Sequence, residues 1–262
     1  MFAKINGIRV SYQMDGAKGR PCVVLVHGFP FTRATWKNEV AVLKRNFRVL
    51  TYDLRGMGGS ALGPAPQPME AYVDDLIALL DHLHVAKAGL AGLSMGGYIA
   101  LRAIQRNPDR FWALALCDTK AEPDSDEGKL GRAAGIKALH AQGLKPFAQG
   151  MLPKLLARPA SPAGKNLLKI MLKNNVPGAA NALAAMQGRS DTSAVLMTLA
   201  VPVLVLAGEQ DLFIPAAATK ALAAQIPQAQ LLFLKGAGHV ANLEDPQGFD
   251  QALLEFFTES YD

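Results

Sequence analysis

"AGLAGLSMGGYIA" (residues 88–100) sets Gly89, Gly92, Gly96 and Gly97 around one serine in a stretch that otherwise reads as buried. Three readings compete for it: a plain tight turn, a phosphate-cradling loop, or a nucleophile raised on a strained turn. The run 88–93 reads as a strand, and the segment after Ser94 reads as a helix ending near Asn107-Pro108. Gly92-Leu93-Ser94-Met95-Gly96 then falls at a strand-to-helix turn. Small flanking residues there let backbone pass close by and leave the hydroxyl clear of the sheet. The helix that follows would aim its partial positive end and the Met95 N–H at an oxyanion. The phosphate reading fails on spacing: neither G-x-G-x-x-G nor a following Gly-Lys-Ser/Thr is present, and "RGMGGS" (55–60) lacks both as well.

Outward from this turn, short apolar runs alternate with helical patterns. "FAKI" and "IRVSYQM" flank Asn6-Gly7, a pair suited to a two-residue hairpin turn. "PCVVLVHG" (21–28) and "FRVLTYD" (47–53) read as strands with a helix near 35–45 between them. Val73, Leu76, Ile77, Leu80 and Leu83 recur at helical spacing within 69–85. "FWALALCD" (111–118), "VPVLVLAG" (201–208) and "AQLLFLKG" (229–236) read as buried strands, and "PQGFDQALLEFFTES" as the last helix. Strands apolar on both faces and alternating with helices predict a parallel sheet covered on both sides. From Thr119 to Leu196 the alternation stops. Helical segments divided by Pro146, Pro153, Pro159, Pro162 and Pro177 predict a small helical cap inserted after the sixth strand, with the sheet resuming at Val201.

A serine nucleophile needs a base, and the chain has five histidines. His82 and His84 lie two apart on a predicted helix, so they point apart and make a poor metal pair. His140 falls in the cap. His27, at a strand end before Gly28-Phe29-Pro30, is better placed to shape its loop than to remove a proton. His239, in "KGAGHVANLEDP" between the last strand and the last helix, belongs to the carboxyl edge of a parallel sheet, the edge that carries Ser94. The base in turn needs a carboxylate to hold its tautomer. Asp211 in "LAGEQDLFIP" is favoured; Asp118 in "LCDT" is the rival, read as bonding local backbone or seating the cap. With Asp211 the chain order is Ser, Asp, His.

Composition narrows the partners. Lysine and arginine outnumber aspartate and glutamate by 27 to 22, a net charge of +5, but the excess is scattered. No dense basic run or interleaved aromatic marks a nucleic-acid groove. The start, "MFAKINGIRVSYQMDG", lacks the apolar core of a signal peptide, and no apolar run approaches the ~20 residues of a membrane span. The expectation is a soluble cytoplasmic protein whose Cys22 and Cys117 are packed thiols.

Taken together, "HGFP" (27–30), "YDLRGMGGS" (52–60), "GLSMGG" (92–97), "GEQD" (208–211) and "GAGHVANLEDP" (236–246) resemble the α/β-hydrolase superfamily over essentially the whole chain. Within it the esterases and the 3-oxoadipate enol-lactonase-like hydrolases look most similar. The resemblance implies an α/β-hydrolase fold with a mostly parallel eight-stranded sheet. The core would comprise residues 1–118 and 196–262 and the cap 119–195. It implies a second oxyanion N–H from Phe29 beside that of Met95, and a structural loop at "DLRGMGGS", where Met57 stands in place of the usual His. The expected chemistry is hydrolysis of a small ester or lactone through an acyl-enzyme on Ser94, with His239 as base, Asp211 as its partner, and no metal or organic cofactor. Phe29, Phe147, Met151, Met186, Phe213 and Val240 are the candidate substrate contacts, which predicts an apolar or aromatic group. Arg132 and Arg189 are candidate cations for a carboxylate substrate, read otherwise as surface charges. Related chemistries on the same site are acyl transfer to peroxide and, in a different class, ligand sensing without turnover. A haloalkane dehalogenase is disfavoured, since its nucleophile position needs Asp.

Overall fold

The computed structural model describes residues 1–261. Eight strands form one sheet: β1 (Phe2–Ile5), β2 (Ile8–Asp15), β3 (Cys22–Val26), β4 (Arg48–Tyr52), β5 (Ala88–Leu93), β6 (Phe111–Cys117), β7 (Val203–Gly208) and β8 (Gln230–Leu234). Their spatial order is β1-β2-β4-β3-β5-β6-β7-β8. β1–β2 and β2–β4 pair antiparallel and every later pair is parallel. This is the α/β-hydrolase fold. The β1–β2 turn uses Asn6 (φ 45°) and Gly7 (φ 79°), the positive φ angles a two-residue hairpin requires.

The strands read as continuous apolar runs because both faces are covered. Val24 and Val26 of β3 face one core with Leu50, Leu90, Leu114 and Leu116. That core is covered by α2 (Met69–His82) and α3 (Met95–Arg106), through Tyr72, Val73, Leu76 and Ile99. Val23 and Leu25 face the opposite core, covered by α1 (Lys37–Leu43) and α11 (Pro246–Tyr261), through Leu43, Phe249, Leu253, Phe256 and Phe257. The remaining helices are α4 (Asp126–Gln142), α5 (Leu144–Leu155), α6 (Pro162–Met171), α7 (Val176–Gln187), α8 (Ser193–Leu196), α9 (Ala216–Ala224) and α10 (Ala241–Glu244). The first five of these lie between β6 and β7.

Three local expectations need correction. β8 is not buried: it is the sheet's edge strand, and Leu231 and Leu232 are each 41% exposed. Its run of apolar residues is indistinguishable in sequence from that of a central strand. Pro146 and Pro153 do not divide helices; both lie within α5. Pro146 falls in the first turn, where its missing N–H has no intrahelical acceptor to lose. Pro162 and Pro177 do open α6 and α7. His84 lies beyond the end of α2 with φ 53°, in a turn. Cys22 and Cys117 are both free and buried, and burial pushes the Cys22 thiol up to about 12. Among the described residues no helix is long and apolar enough to cross a membrane.

A carboxyl group is enclosed on the α1–α11 side. Glu39 is fully buried, and neither of its oxygens has a hydrogen-bond partner among the described residues. Burial, reinforced by Asp250 on α11, raises it from 4.5 to about 8. The folded state therefore holds a proton that the unfolded chain has released, and stability falls as pH rises from about 4.5 through about 8. Glu39→Gln keeps the shape without the charge. It is expected to flatten this slope and raise Tm at pH 8 on the order of 2–4 °C, read by thermal melts from pH 5 to 9.

Candidate active site

Ser94 stands between β5 and α3 with φ 53° and ψ −114°, a conformation that a residue with a side chain adopts only when its surroundings force it. Four close approaches, each made at a glycine, surround it here. A Cβ on Gly92 would lie 2.4 Å from Gly96 O, one on Gly96 2.1 Å from Val26 O, and one on Gly97 2.3 Å from Thr119 Oγ1. A Cβ on Gly28 would meet Leu93 O and the Ser94 Cβ at 3.0 and 3.1 Å. The turn is further pinned by Ser94 N–H donating to Cys117 O (2.9 Å) and by the Thr119 hydroxyl donating to Ser94 O (2.8 Å).

The loops after β7 and β8 bring the other two residues to this turn. Ser94 Oγ is 2.8 Å from His239 Nε2, and His239 Nδ1 is 2.7 Å from Asp211 Oδ2. The other Asp211 oxygen accepts from the amides of Phe213 (2.7 Å) and Ile214 (3.0 Å), which fixes the carboxylate's orientation. Asp211 thus presents one oxygen to an Nδ1–H, leaving Nε2 to accept the serine proton. Asp118, the rival, is fully enclosed at the end of β6 and accepts from Gly208 N–H (2.8 Å). It bonds backbone rather than the imidazole. Burial and the neighbouring Asp211 push it well above the usual carboxylate range.

Two amides flank the serine. Met95 is the first residue of α3, so its N–H has no acceptor within the helix. Phe29 follows Gly28, the residue packed on the Ser94 Cβ. The Phe29 loop is held by His27, whose Nδ1 bonds Gly28 O (2.8 Å) while Nε2 accepts from Leu54 N–H (3.0 Å). Both ring nitrogens are committed, and burial holds its pKa below the ordinary value, so His27 is a neutral strut. Beyond it, Asp53 accepts from Arg33 N–H (2.8 Å), Arg33 Nη1 (2.7 Å) and Gly59 N–H (3.0 Å), locking "DLRGMGGS" onto the same loop.

A cavity of about 610 Å³ opens on Ser94 and His239. Phe29, Phe147, Met151, Met186 and Phe213 line it, as do Tyr98, Lys120, Asp124, Arg132, Leu183 and Ile214. Phe29 and Phe147 meet edge to face at 6.2 Å, and Phe213 lies 5.0 Å from the His239 ring. Val240 does not line the cavity: its side chain is fully buried in the α1–α11 core, and its amide bonds Leu155 O. Adjacency to His239 in sequence misleads here because successive residues leave a loop in different directions. Arg189 is not a surface charge either; only 3% of its side chain is exposed, and it pairs with Asp124. A larger depression of about 790 Å³ over β2 and β4, floored by Ser11, Thr51 and Asp53, holds neither Ser94 nor His239.

Several positioning residues escaped the sequence. Glu244 accepts from Gly238 N–H (2.7 Å), Ala157 N–H (2.9 Å) and Arg158 N–H (2.8 Å), joining the His239 loop to the α5–α6 loop. Asn174 accepts from Gly58 N–H and donates to Pro30 O, both within 2.8 Å. Asn181 accepts from Gln67 N–H (2.7 Å) and donates to Tyr72 Oη (3.1 Å).

A family model described as the alpha/beta hydrolase family matches residues 23–252. The chain belongs to the α/β-hydrolase family. It is similar to 3-oxoadipate enol-lactonase 2 of Acinetobacter baylyi, at 27% identity over 94% of this chain and 92% of that one. Among solved structures, it is similar to a thermophilic esterase from Thermogutta terrifontis with malate bound (34% identity, full coverage of both chains, TM-score 0.95). It is also similar to the enol-lactonase of Burkholderia xenovorans (30% identity, 98% and 100% coverage, TM-score 0.91).

The serine turn makes a prediction. Gly96→Ala is expected to destabilise the protein by about 1–3 kcal/mol, because Val26 O and the strand behind it have no room to withdraw. Gly131→Ala on α4, where a Cβ meets nothing, should be neutral or stabilising by up to about 1 kcal/mol. Denaturant melts of the two variants read the difference; equal stabilities would refute the close-packing account.

Proposed function

We propose that the chain is a serine hydrolase that cleaves a small carboxylic ester or lactone through an acyl-enzyme. The observation that carries this is the continuous hydrogen-bond chain from Ser94 Oγ through His239 to Asp211, at 2.8 and 2.7 Å. The names of the similar enol-lactonases and esterase support ester or lactone cleavage as its class.

Ser94 Oγ attacks the carbonyl carbon as His239 Nε2 takes its proton, and Asp211 stabilises the imidazolium formed. Charge on the carbonyl oxygen is met by the Phe29 and Met95 amides, each a donor worth about 10²–10³ in rate. Collapse of the tetrahedral species breaks the bond to the alkoxide, which leaves with the proton from His239. Water then attacks the acyl-enzyme with His239 again as base, releasing the acid and restoring Ser94. Each step uses only this chain's residues, substrate and water. The apolar wall of Phe29, Phe147, Met151, Met186 and Phe213 suits an apolar or aromatic portion of the substrate.

A chain-length series of nitrophenyl esters with a set of lactones, run on wild type and Ser94→Ala, tests this. Ser94→Ala is expected to lose at least about 10³-fold in kcat/KM with an unchanged melting profile; substantial turnover remaining in that folded variant would sink the mechanism. The carboxylate assignment is tested separately. Asp211→Asn should cost about 10³–10⁴-fold in kcat, whereas Asp118→Asn, at a side chain that bonds backbone and not the imidazole, should be far milder. The reverse ranking would make Asp118 the partner of His239.

A further inference from the structure

The depression of about 790 Å³ over β2 and β4, apart from Ser94 and His239, has its cause in the sheet. β2 alternates: Val10 and Tyr12 enter the α2–α3 core, while Ser11, Gln13 and Asp15 face the α1 side. On β4, Thr51 pairs with Gln13 and shares that face. α1 has seven residues, which gives about 10 Å of helix. That is too short to cover the strip, so a polar hollow stays open beside it. Lys37, Val40, Ala41 and Lys44 recur at i, i+3, i+4 and i+7, and all four line the hollow. Lys173 closes it from the other side. Its neighbour Asn174 holds it there, accepting from Gly58 N–H at 2.8 Å and donating to Pro30 O at 2.7 Å.

The charges around this hollow do not balance. It is lined by Arg33, Lys37, Lys44 and Lys173 against Asp15 and Asp53. Arg33 and Asp53 neutralise each other at 2.7 Å. Among the described residues the three lysines make no ion pair, and neither does Asp15. Three ammonium groups thus face one free carboxylate. The surrounding sequence supplies no further acid. Residues 1–60 hold ten lysines and arginines against three acids, of which the third, Glu39, is buried on the α1–α11 side. On the Lys173 side, no acidic residue occurs between Glu127 and Asp191. The positive excess that reads as scattered along the chain is therefore gathered at one concave face, where cations of one sign reinforce their field. A ligand with two or more negative charges offsets the excess. Phosphate oxygens suit it best, since each can accept from more than one lysine.

We propose that this hollow is a second binding site, which takes a soluble ligand carrying a di- or triphosphate on Lys37, Lys44 and Lys173. The Arg33–Asp53 pair forms part of its floor and stays intact, because Asp53 also holds the amides of Arg33 and Gly59. The Gln13 amide, exposed on the same strip, is a further donor toward the ligand. The site is separate from the cavity over Ser94 and takes no part in ester cleavage.

The test titrates the protein calorimetrically with inorganic pyrophosphate and with tripolyphosphate at low ionic strength. The expected result is saturable binding of one anion per chain, weakened about tenfold in the Lys37→Met/Lys44→Met double variant and by added salt in wild type. The Lys37→Arg/Lys44→Arg variant should retain most of the affinity. Lys165→Met, at an exposed position of α6, and Lys120→Met, in the cavity over Ser94, should retain all of it. Neither Lys37 nor Lys44 lines that cavity, so ester hydrolysis serves as the folding control for their variants. Three outcomes would overturn the proposal: no saturable binding in the millimolar range, equal affinity in wild type and Lys37→Met/Lys44→Met, or loss of binding in Lys120→Met. Phosphatidylglycerol vesicles probe the other source of phosphate. Retention on them without pyrophosphate binding would make this face a membrane contact and overturn the soluble ligand.

Discussion

The arrangement depends on one close approach of backbone to backbone. For Ser94 to hold φ 53°, the start of α3 must press against the ends of β3 and β5, and that is possible only where Gly28, Gly92 and Gly96 present no Cβ. The strain at the serine is not relieved locally; it is sustained by the sheet, because Cys117 O and Thr119 of β6 and the turn after it hold the same residue from the other side. One consequence is directional. The hydroxyl stands off the carboxyl edge of the sheet, so any partner must arrive on a loop from that edge, and the loops after β7 and β8 are the ones that do.

Four carboxylates lie near this edge or beneath it, and their surroundings give each a different state. Asp211 accepts from two backbone amides and faces the imidazole, so its orientation is fixed from both sides. Asp118, enclosed at the end of β6 where it accepts from Gly208 N–H, is driven toward the neutral form by burial and by Asp211. Glu244 accepts three amides and serves as a clasp between loops. Neither Glu39 oxygen has a partner at hydrogen-bond geometry among the described residues, and burial raises the group to about 8. The same functional group is thus an aligned acceptor, a buried filler, a clasp and a pH-dependent liability, according to which donors surround it.

The legible part of this molecule was the part encoded locally. Asn6-Gly7 announced its hairpin, the apolar runs marked the strands in order, and the chain order of Ser94, Asp211 and His239 named three residues that the fold draws within hydrogen-bond reach. What escaped depends on neighbours distant in sequence. β8 carries the same apolar run as a central strand, yet it lies at the end of the strand order and pairs with β7 on one side. Val240 sits beside His239 in sequence, yet faces the core. Arg189 reads as an ordinary surface cation until Asp124 and the Tyr98 ring, 65 or more residues away in the chain, are seen to enclose it. Charge on a side chain is visible in sequence; the partner that neutralises it is not.

The helices between β6 and β7 are tied to that machinery as well as lying over it. Asn174 reaches the Phe29–Pro30 loop and the glycine loop at Gly58, Asn181 reaches the loop before α2, and Glu244 fastens the α5–α6 loop to the backbone next to His239. Gly178 completes the contact, since a Cβ there would lie 1.8 Å from Gly56 O. The segments around the cavity and the loops next to Ser94 and His239 therefore share hydrogen bonds. A change in the wall that displaced Ala157 would strip a donor from Glu244, the same carboxylate that holds Gly238 beside His239. The shape of the cavity and the position of His239 are consequently coupled through a single side chain. A redesign of this cavity that preserves Ser94, Asp211 and His239 but disturbs Glu244 would alter the geometry around Ser94 without touching it.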